Sequence, residues 1–316
     1  MEPNLPSSMD EIIIELSDND KPLLNSRLTE LSNLDSEELE LFKRSWIRIE
    51  PKRRRHIVYR LVELAEDNFS LNFDSIFKYC IKDKDDEVRS KAIEGLWENE
   101  EPSIINPLID LVVQDSSEKV QAAASTALGK FALLAEHRKL RSDYLSKILE
   151  VLLDAINDKN RPIEVRSRAL EAVAPLSLPQ VKTVIIDAYQ SHDFKLKVSS
   201  IYAMGKNCDP AWLSILLDEL ASADTEIRYE AACACGELEE EEAVPCLIKL
   251  LNDPDIDVQM AIIQALGKIG GAKAKECLES CLNNSSEPIR QAAEQALNEM
   301  DVKETLYLSD FESFDS

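Results

Sequence analysis

Residues 196–205, 227–236, 258–267 and 289–298 read LKVSSIYAMG, IRYEAACACG, VQMAIIQALG and IRQAAEQALN, four segments that align without gaps at intervals of 31 residues. Three further copies stand upstream: VRSKAIEGLW from Val88, VQAAASTALG from Val120 and VRSRALEAVA from Val165. One register therefore runs through seven units, and a repeat governs every later inference about the chain. With the first residue of each copy as position 0, position 7 is small in all seven: Gly95, Ala127, Ala172, Ala203, Ala234, Ala265 and Ala296. Position 8 is apolar in all seven: Leu96, Leu128, Val173, Met204, Cys235, Leu266 and Leu297. At 100° per residue, positions 0, 4, 7 and 8 fall within an arc of about 100°. Each copy thus reads as a helix with one buried stripe, and the small residues let a neighbouring helix come close.

Five residues before each copy stands Asp83, Asp115, Asn160, Ser191, Ser222, Asp253 or Asn284, and two residues later often a second Asp or Ser, such as Asp85, Asp193, Asp224 or Asp255. These are turn and N-cap residues, whose side-chain oxygens accept the free N–H groups of the next helix. A second apolar helix precedes every turn, so the unit is helix A, tight turn, helix B. Such a pair cannot bury its own apolar face, whereas stacked pairs form one continuous core. The predicted fold is all-α, a right-handed α-solenoid of about seven clear units plus a degenerate N-terminal one.

The turn followed by V-R-x-x-A-x-x-A-L-G, seen at Val88-Arg89, Val165-Arg166 and Ile227-Arg228, with Pro107 and Pro245 both at position −13, resembles the HEAT repeat family, in particular the short repeats of phycobilisome lyases. The likeness spans about residues 70–300. It implies a fold and leaves the function open, because such repeats serve adaptors, lyases and repair enzymes alike.

The boundaries follow from the same register. Residues 1–20 read as an acidic, flexible tail, 21–69 as N-terminal helices with a degenerate capping repeat, 70–300 as the repeat array, and 301–316 as an acidic and aromatic tail suited to docking. In the capping repeat, Ser36 opens a helix through Trp46, Pro51 breaks it, and Arg53 to Ala65 forms another. The 45-residue step from Val120 to Val165 exceeds the 31-residue step; the surplus, around Leu133 to Tyr144, reads as lengthened helices joined by a longer loop.

The net charge of −24, from 36 basic and 60 acidic residues, repels polyanions and disfavours nucleic acid and anionic membrane as partners. The first twenty residues lack a signal-peptide pattern and no apolar stretch has membrane-span length, so the expectation is a cytoplasmic protein, monomeric on its own. Seven cysteines without an export signal are expected to stay reduced.

No catalytic, cofactor or metal site is expected. The three histidines, His56, His137 and His192, are followed by Ile57, Arg138 and Asp193, so the paired His-Glu motifs of the HEAT-fold di-iron deoxyhypusine hydroxylases are missing. The HEAT-like DNA glycosylases need a basic groove that an acidic array does not supply. Cys277 and Cys281 share a helix face, but no second pair completes a four-ligand zinc set; Cys235 at an apolar position reads as core filling. The acidic run Glu237, Glu239, Glu240, Glu241 and Glu242 reads as a solvated turn before a helix. Gly129, Gly205, Gly236 and Gly267, all at position 9, read as marks of helix packing or termination.

The expected function is a non-catalytic scaffold or adaptor that binds a protein or peptide on the face of the B helices. The alternative is an accessory or lyase-type enzyme subunit acting on a chromophore or modified protein. Positions 2, 5 and 6 should point away from the core, and three consecutive units carry apolar or aromatic residues there: Val198, Ile201 and Tyr202; Tyr229, Ala232 and Cys233; Met260 and Ile263, with Gln264. The candidate binding residues are therefore Val198, Ile201, Tyr202, Tyr229, Cys233, Met260 and Ile263. A second candidate is the basic stretch of residues 43–60, in which Lys43, Arg44, Arg48, Lys52, Arg53, Arg54, Arg55 and Arg60 face a single acid, Glu50.

Overall fold

The computed structural model describes residues 9–19 and 21–314, and among these every regular element is helical. Two short helices, α1 (Met9–Ser17) and α2 (Asn25–Thr29), precede eight consecutive helix pairs. The pairs are α3 (Ser36–Trp46) with α4 (Pro51–Asp67), α5 (Asp74–Cys80) with α6 (Asp86–Gly95), α7 (Ile105–Gln114) with α8 (Glu118–Glu136), and α9 (Ser142–Asn157) with α10 (Ile163–Val173). They continue as α11 (Pro179–Tyr189) with α12 (Phe194–Asn207), α13 (Leu213–Glu219) with α14 (Thr225–Leu238), α15 (Val244–Lys249) with α16 (Ile256–Ile269), and α17 (Ala272–Cys281) with α18 (Glu287–Phe314). The even-numbered member is helix B, and the seven copies begin at or near the start of α6, α8, α10, α12, α14, α16 and α18. The chain divides into two compact units, residues 1–172 and 173–316.

The buried stripe lies where the periodicity puts it: position 0 is buried in all seven copies, from Val88 to Ile289, and so is position 4, from Ala92 to Ala293. The turns are equally regular. The side chain at position −5 accepts the N–H at position −3 in six copies, Asp85 to Asp83 (2.8 Å), Ser117 to Asp115, Asp193 to Ser191, Asp224 to Ser222, Asp255 to Asp253 and Ser286 to Asn284. Asp85, Asp193, Asp224 and Asp255 then cap the following helix. Each cap satisfies donors that have no partner inside the helix, an effect of about 1 kcal/mol apiece.

Position 1 carries a side chain that clamps the turn. Arg89, Gln121, Arg228, Gln259 and Arg290 each donate to the backbone carbonyl at position −5 of their own unit. Arg89 also makes a bidentate pair with Asp115 of the next unit, and Arg228 one with Asp253. The Arg therefore locks one turn to its neighbour, with geometry that suits the planar guanidinium.

The small residues act between successive B helices. In unit 2 a Cβ placed on Gly205 would stand 2.7 Å from the Ala234 Cα, one on Gly236 2.9 Å from the Ala265 Cα, and one on Gly267 2.8 Å from the Ala296 Cβ. At these junctions position 9 lies on position 7 of the next helix, and only Gly leaves room. Gly129 meets Ala172 in the same way in unit 1.

Helices stand at Ser36–Trp46 and Pro51–Asp67, where the sequence of the N-terminal unit reads them. Asp35 accepts from the Glu37 and Glu38 N–H groups while Glu38 accepts from the Asp35 N–H, a reciprocal capping box; Pro51 opens α4 at a position that needs no donor. The surplus near residue 140 lies in α8 and α9, 19 and 16 residues long, joined through residues 137–141.

Both tail assignments change. Residues 9–17 are not a flexible tail, because α1 buries Met9, Ile12, Ile13 and Leu16 and packs on α3, with Ile14 left on its exposed side. Residues 301–314 are not a segment separate from the last repeat, since α18 runs unbroken to Phe314 with no Gly or Pro after position 300 to stop it. The remaining parts of those assignments, residues 1–8, 20 and 315–316, lie outside the described residues.

Candidate partner-binding surface

On the B helices from α6 to α16 the core stripe takes positions 0, 4 and 8, and position 5 joins it, whereas on α18 position 5 is the exposed Glu294. Ile201, Ala232 and Ile263 are fully buried, so the expectation that Ile201 and Ile263 face outward is corrected. The seam with the next B helix extends the apolar arc to the 5 side, narrowing what faces solvent to positions 2, 6 and 10. Val198 at position 2 of α12 is also buried. Tyr202 (38% exposed), Tyr229 (39%), Cys233 and Met260 remain open to solvent to different degrees.

These four lie on α12, α14 and α16, which pack in that order in unit 2. A groove of about 450 Å³ runs between α14 and α16, with Tyr229 and Met260 as its apolar part and Glu226, Asp255, Asp257 and Gln264 around them. Cys233 and partial burial push the Tyr229 hydroxyl above its ordinary value, and burial raises the Cys233 thiol. Both stay neutral at physiological pH.

Position 10 carries a ladder of alternating charge. Lys206 and Lys268 both bind Glu237, at 3.2 and 2.6 Å. Burial works against the Glu237 charge, but the two lysine hydrogen bonds outweigh it and hold the carboxyl below its ordinary value. Glu237 is therefore a partner of the neighbouring helices and not part of the solvated acidic turn that Glu239 to Glu242 form.

Unit 1 has a different groove, which sequence reasoning missed. Trp97, 62% exposed, stands beside a floor of Ala122, Ala123 and Ala127 in a groove of about 540 Å³. Its basic lining is already paired: Lys119 with Glu87, and Arg168 with Glu164 and Glu171. Lys130 binds the Leu96, Trp97 and Asn99 carbonyls at the end of α6 and lies over the Trp97 ring. The signal was present in the register, since Trp97 occupies position 9, where four other copies have Gly.

The basic stretch does not form one patch. Arg53 and Arg54 are buried, Arg53 donating to the Leu16 carbonyl and Arg54 to Asp83 at 2.7 Å. Arg55 pairs with Asp85, Arg60 with Glu63 and Lys43 with Glu40. Among the described residues, Arg44, Arg48 and Lys52 are the exposed members outside any ion pair.

All seven cysteines are unpaired, with Cys80, Cys235 and Cys281 buried and Cys208 exposed. Burial pushes the Cys235 thiol up to about 12, as befits a core residue. No group of three or more potential ligands that could hold a metal ion occurs among the described residues, and no helix among them is long and apolar enough to cross a membrane.

The sequence matches the family described as HEAT repeats over residues 73–149 and 213–298, more than half of the chain. The chain belongs to the HEAT repeat family. Among curated proteins, no sequence matches it. Solved HEAT-like structures resemble it at low identity. The complex of CpcE and CpcF of phycocyanin lyase from Nostoc sp. PCC7120 is 12% identical, with 95% of this chain and 97% of that one covered at a TM-score of 0.50. YibA of Escherichia coli is 16% identical, covering 76% and 96% at 0.47. Human deoxyhypusine hydroxylase is 19% identical, covering 93% and 96% at 0.32. At 12% identity the likeness to the CpcE–CpcF complex shows a shared fold and nothing about chemistry. The groove residues of this HEAT protein have to be read from its own side chains.

Proposed function

We propose that this chain is a non-catalytic adaptor that holds a protein or peptide partner on the B-helix face of residues 173–316. The observation that carries this reading is the row of Tyr202, Tyr229, Cys233 and Met260 on three adjacent helices, open to solvent although each helix has a filled core stripe of its own. A merely solvated face calls for polar residues at positions 2 and 6, as Gln291 and Gln295 are in the last unit. Partly exposed Tyr and Met are the side chains that interfaces favour, because they bury much area at little entropic cost.

The test is affinity purification of the full chain from its own cells, with partners identified by mass spectrometry, beside the double variant Tyr202→Ala/Tyr229→Ala and the control Tyr59→Ala. The expected result is a stoichiometric partner that the double variant loses and the control keeps. A partner retained equally by all three proteins would place the binding surface elsewhere. Turnover of a copurified small molecule that survives loss of the tyrosines would replace the adaptor with an enzyme.

A further inference from the structure

We propose that the groove between α14 and α16 takes a basic polypeptide segment with apolar anchors, Lys or Arg flanking Leu-, Met- or aromatic-type side chains. The proposal rests on the adaptor reading and specifies the chemistry of its occupant. Tyr229 and Met260 are position 2 of consecutive B helices, so the seam that brings α14 and α16 together sets them side by side as a two-part apolar floor. Around that floor stand Glu226, Asp255 and Asp257, and no cation lines the groove. Asp255 is engaged as the α16 cap, whereas the Glu226 and Asp257 carboxylates are exposed and form no ion pair among the described residues.

Neutralisation from within the fold is already used up on other acids. Arg228 is held by Asp253, and Lys206 and Lys268 by Glu237. The wider field has the same sign, with 11 basic against 26 acidic residues in 173–316, a net −15. An acidic segment meets repulsion from the carboxylates around the floor and at long range, and an uncharged apolar segment gains from Tyr229 and Met260 alone. Only a basic segment gains from both terms and from faster encounter. The first-turn position of Glu226 and Asp257 also suits the helix dipole, so their presence alone does not call for a ligand; their pairing with an exposed apolar floor does.

The experiment uses the full chain and three synthetic probes patterned as the same amphipathic helix, a leucine–lysine, a leucine–glutamine and a leucine–glutamate peptide, with binding read by fluorescence anisotropy at low and high salt. The expected order is lysine over glutamine, with no binding of glutamate. Glu226→Gln/Asp257→Asn, which leaves the Asp255 cap in place, should weaken the lysine peptide about tenfold and flatten its salt dependence. Tyr229→Ala should weaken the lysine and glutamine peptides alike by a similar factor, and Trp97→Ala should change neither. Circular dichroism confirms that each variant is folded.

Equal binding of the lysine and glutamine peptides, both lost with Tyr229→Ala, would overturn the basic occupant while leaving the adaptor surface standing. Loss of lysine-peptide binding with Trp97→Ala, or none with Glu226→Gln/Asp257→Asn, would overturn the groove assignment. Self-association on sedimentation that the Glu226→Gln/Asp257→Asn variant abolishes would make a second copy of this chain the occupant, and would overturn an external one.

Discussion

The α6–α8 junction of unit 1 and the α14–α16 junction of unit 2 are built from the same repeat and each carries a groove, yet at position 9 one stays open and the other closes into a tight seam. The difference is a single repeat position. Position 9 is Gly236 on α14, and the helix runs two residues further to Leu238; the glycine lies on Ala265, which is buried. On α6 position 9 is Trp97, the helix ends at Gly95, and Ala127 on α8 is left half-covered on the groove floor. An indole cannot occupy a space where even a methyl group collides. It turns to solvent, the helix stops, and Lys130 takes up the freed carbonyls. In a repeat protein, the position that sets close approach also decides how far along the helix pair a groove extends.

That contrast can be tested from its strongest element down. Asp83 in unit 1 accepts from the buried Arg54 and from the Trp46 indole, so Asp83→Ala strands two donors; the expected loss is about 4 kcal/mol, read by urea denaturation. Both substitutions also free the turn N–H two residues on, but Asp253→Ala in unit 2 strands Arg228 as its one side-chain donor and is expected to cost about 3 kcal/mol. Equal losses would show that the indole bond adds nothing. The Arg228 hydrogen bond, with its charge, holds the Asp253 carboxyl below its ordinary value. Its stabilising contribution is therefore complete above the unfolded value of about 3.9 and is lost as pH falls through the lower folded value. Acid unfolding of Asp253→Asn should lack that part of the pH dependence.

Ile201→Ala comes next, because the buried position 5 makes it a core truncation worth about 3 kcal/mol. Tyr202→Ala, one residue on and partly exposed, should cost less than about 1 kcal/mol. A reversal of that order in thermal melts would restore the outward assignment of position 5. Gly236→Ala opposes two effects: alanine favours the helix by about 1 kcal/mol, but its Cβ meets the Ala265 backbone at 2.9 Å, and overpacking costs about 1–3 kcal/mol. Backbone cannot step aside as a side chain can, so a net loss of about 1–2 kcal/mol is expected. The smallest effect belongs to Trp97→Ala, below about 1 kcal/mol, because most of the ring is already in water.

The helix pairs, the turns and the capping repeat were legible because each depends on residues within a few positions of one another. Asp253 caps and turns as its place in the register requires. The candidate face was legible only in part: Tyr202, Tyr229, Cys233 and Met260 reach solvent as their positions suggest, while Val198, Ile201 and Ile263 do not. A helical wheel locates the centre of the buried arc but not its width, which depends on the neighbouring helix. The basic stretch failed for a related reason, since Arg54 and Asp83 meet across 29 residues and Arg53 reaches α1 across 37.

By itself, then, the sequence determined the repeat, its register, the helix caps and the family, because periodicity and capping are local consequences of side-chain shape and hydrogen bonding. Tertiary structure alone decided which outward positions stay in solvent, which charges are already paired, and where a groove opens between B helices. Those outcomes depend on how close two helices come, and that distance is set by contacts between residues about thirty positions apart, such as Gly236 on Ala265.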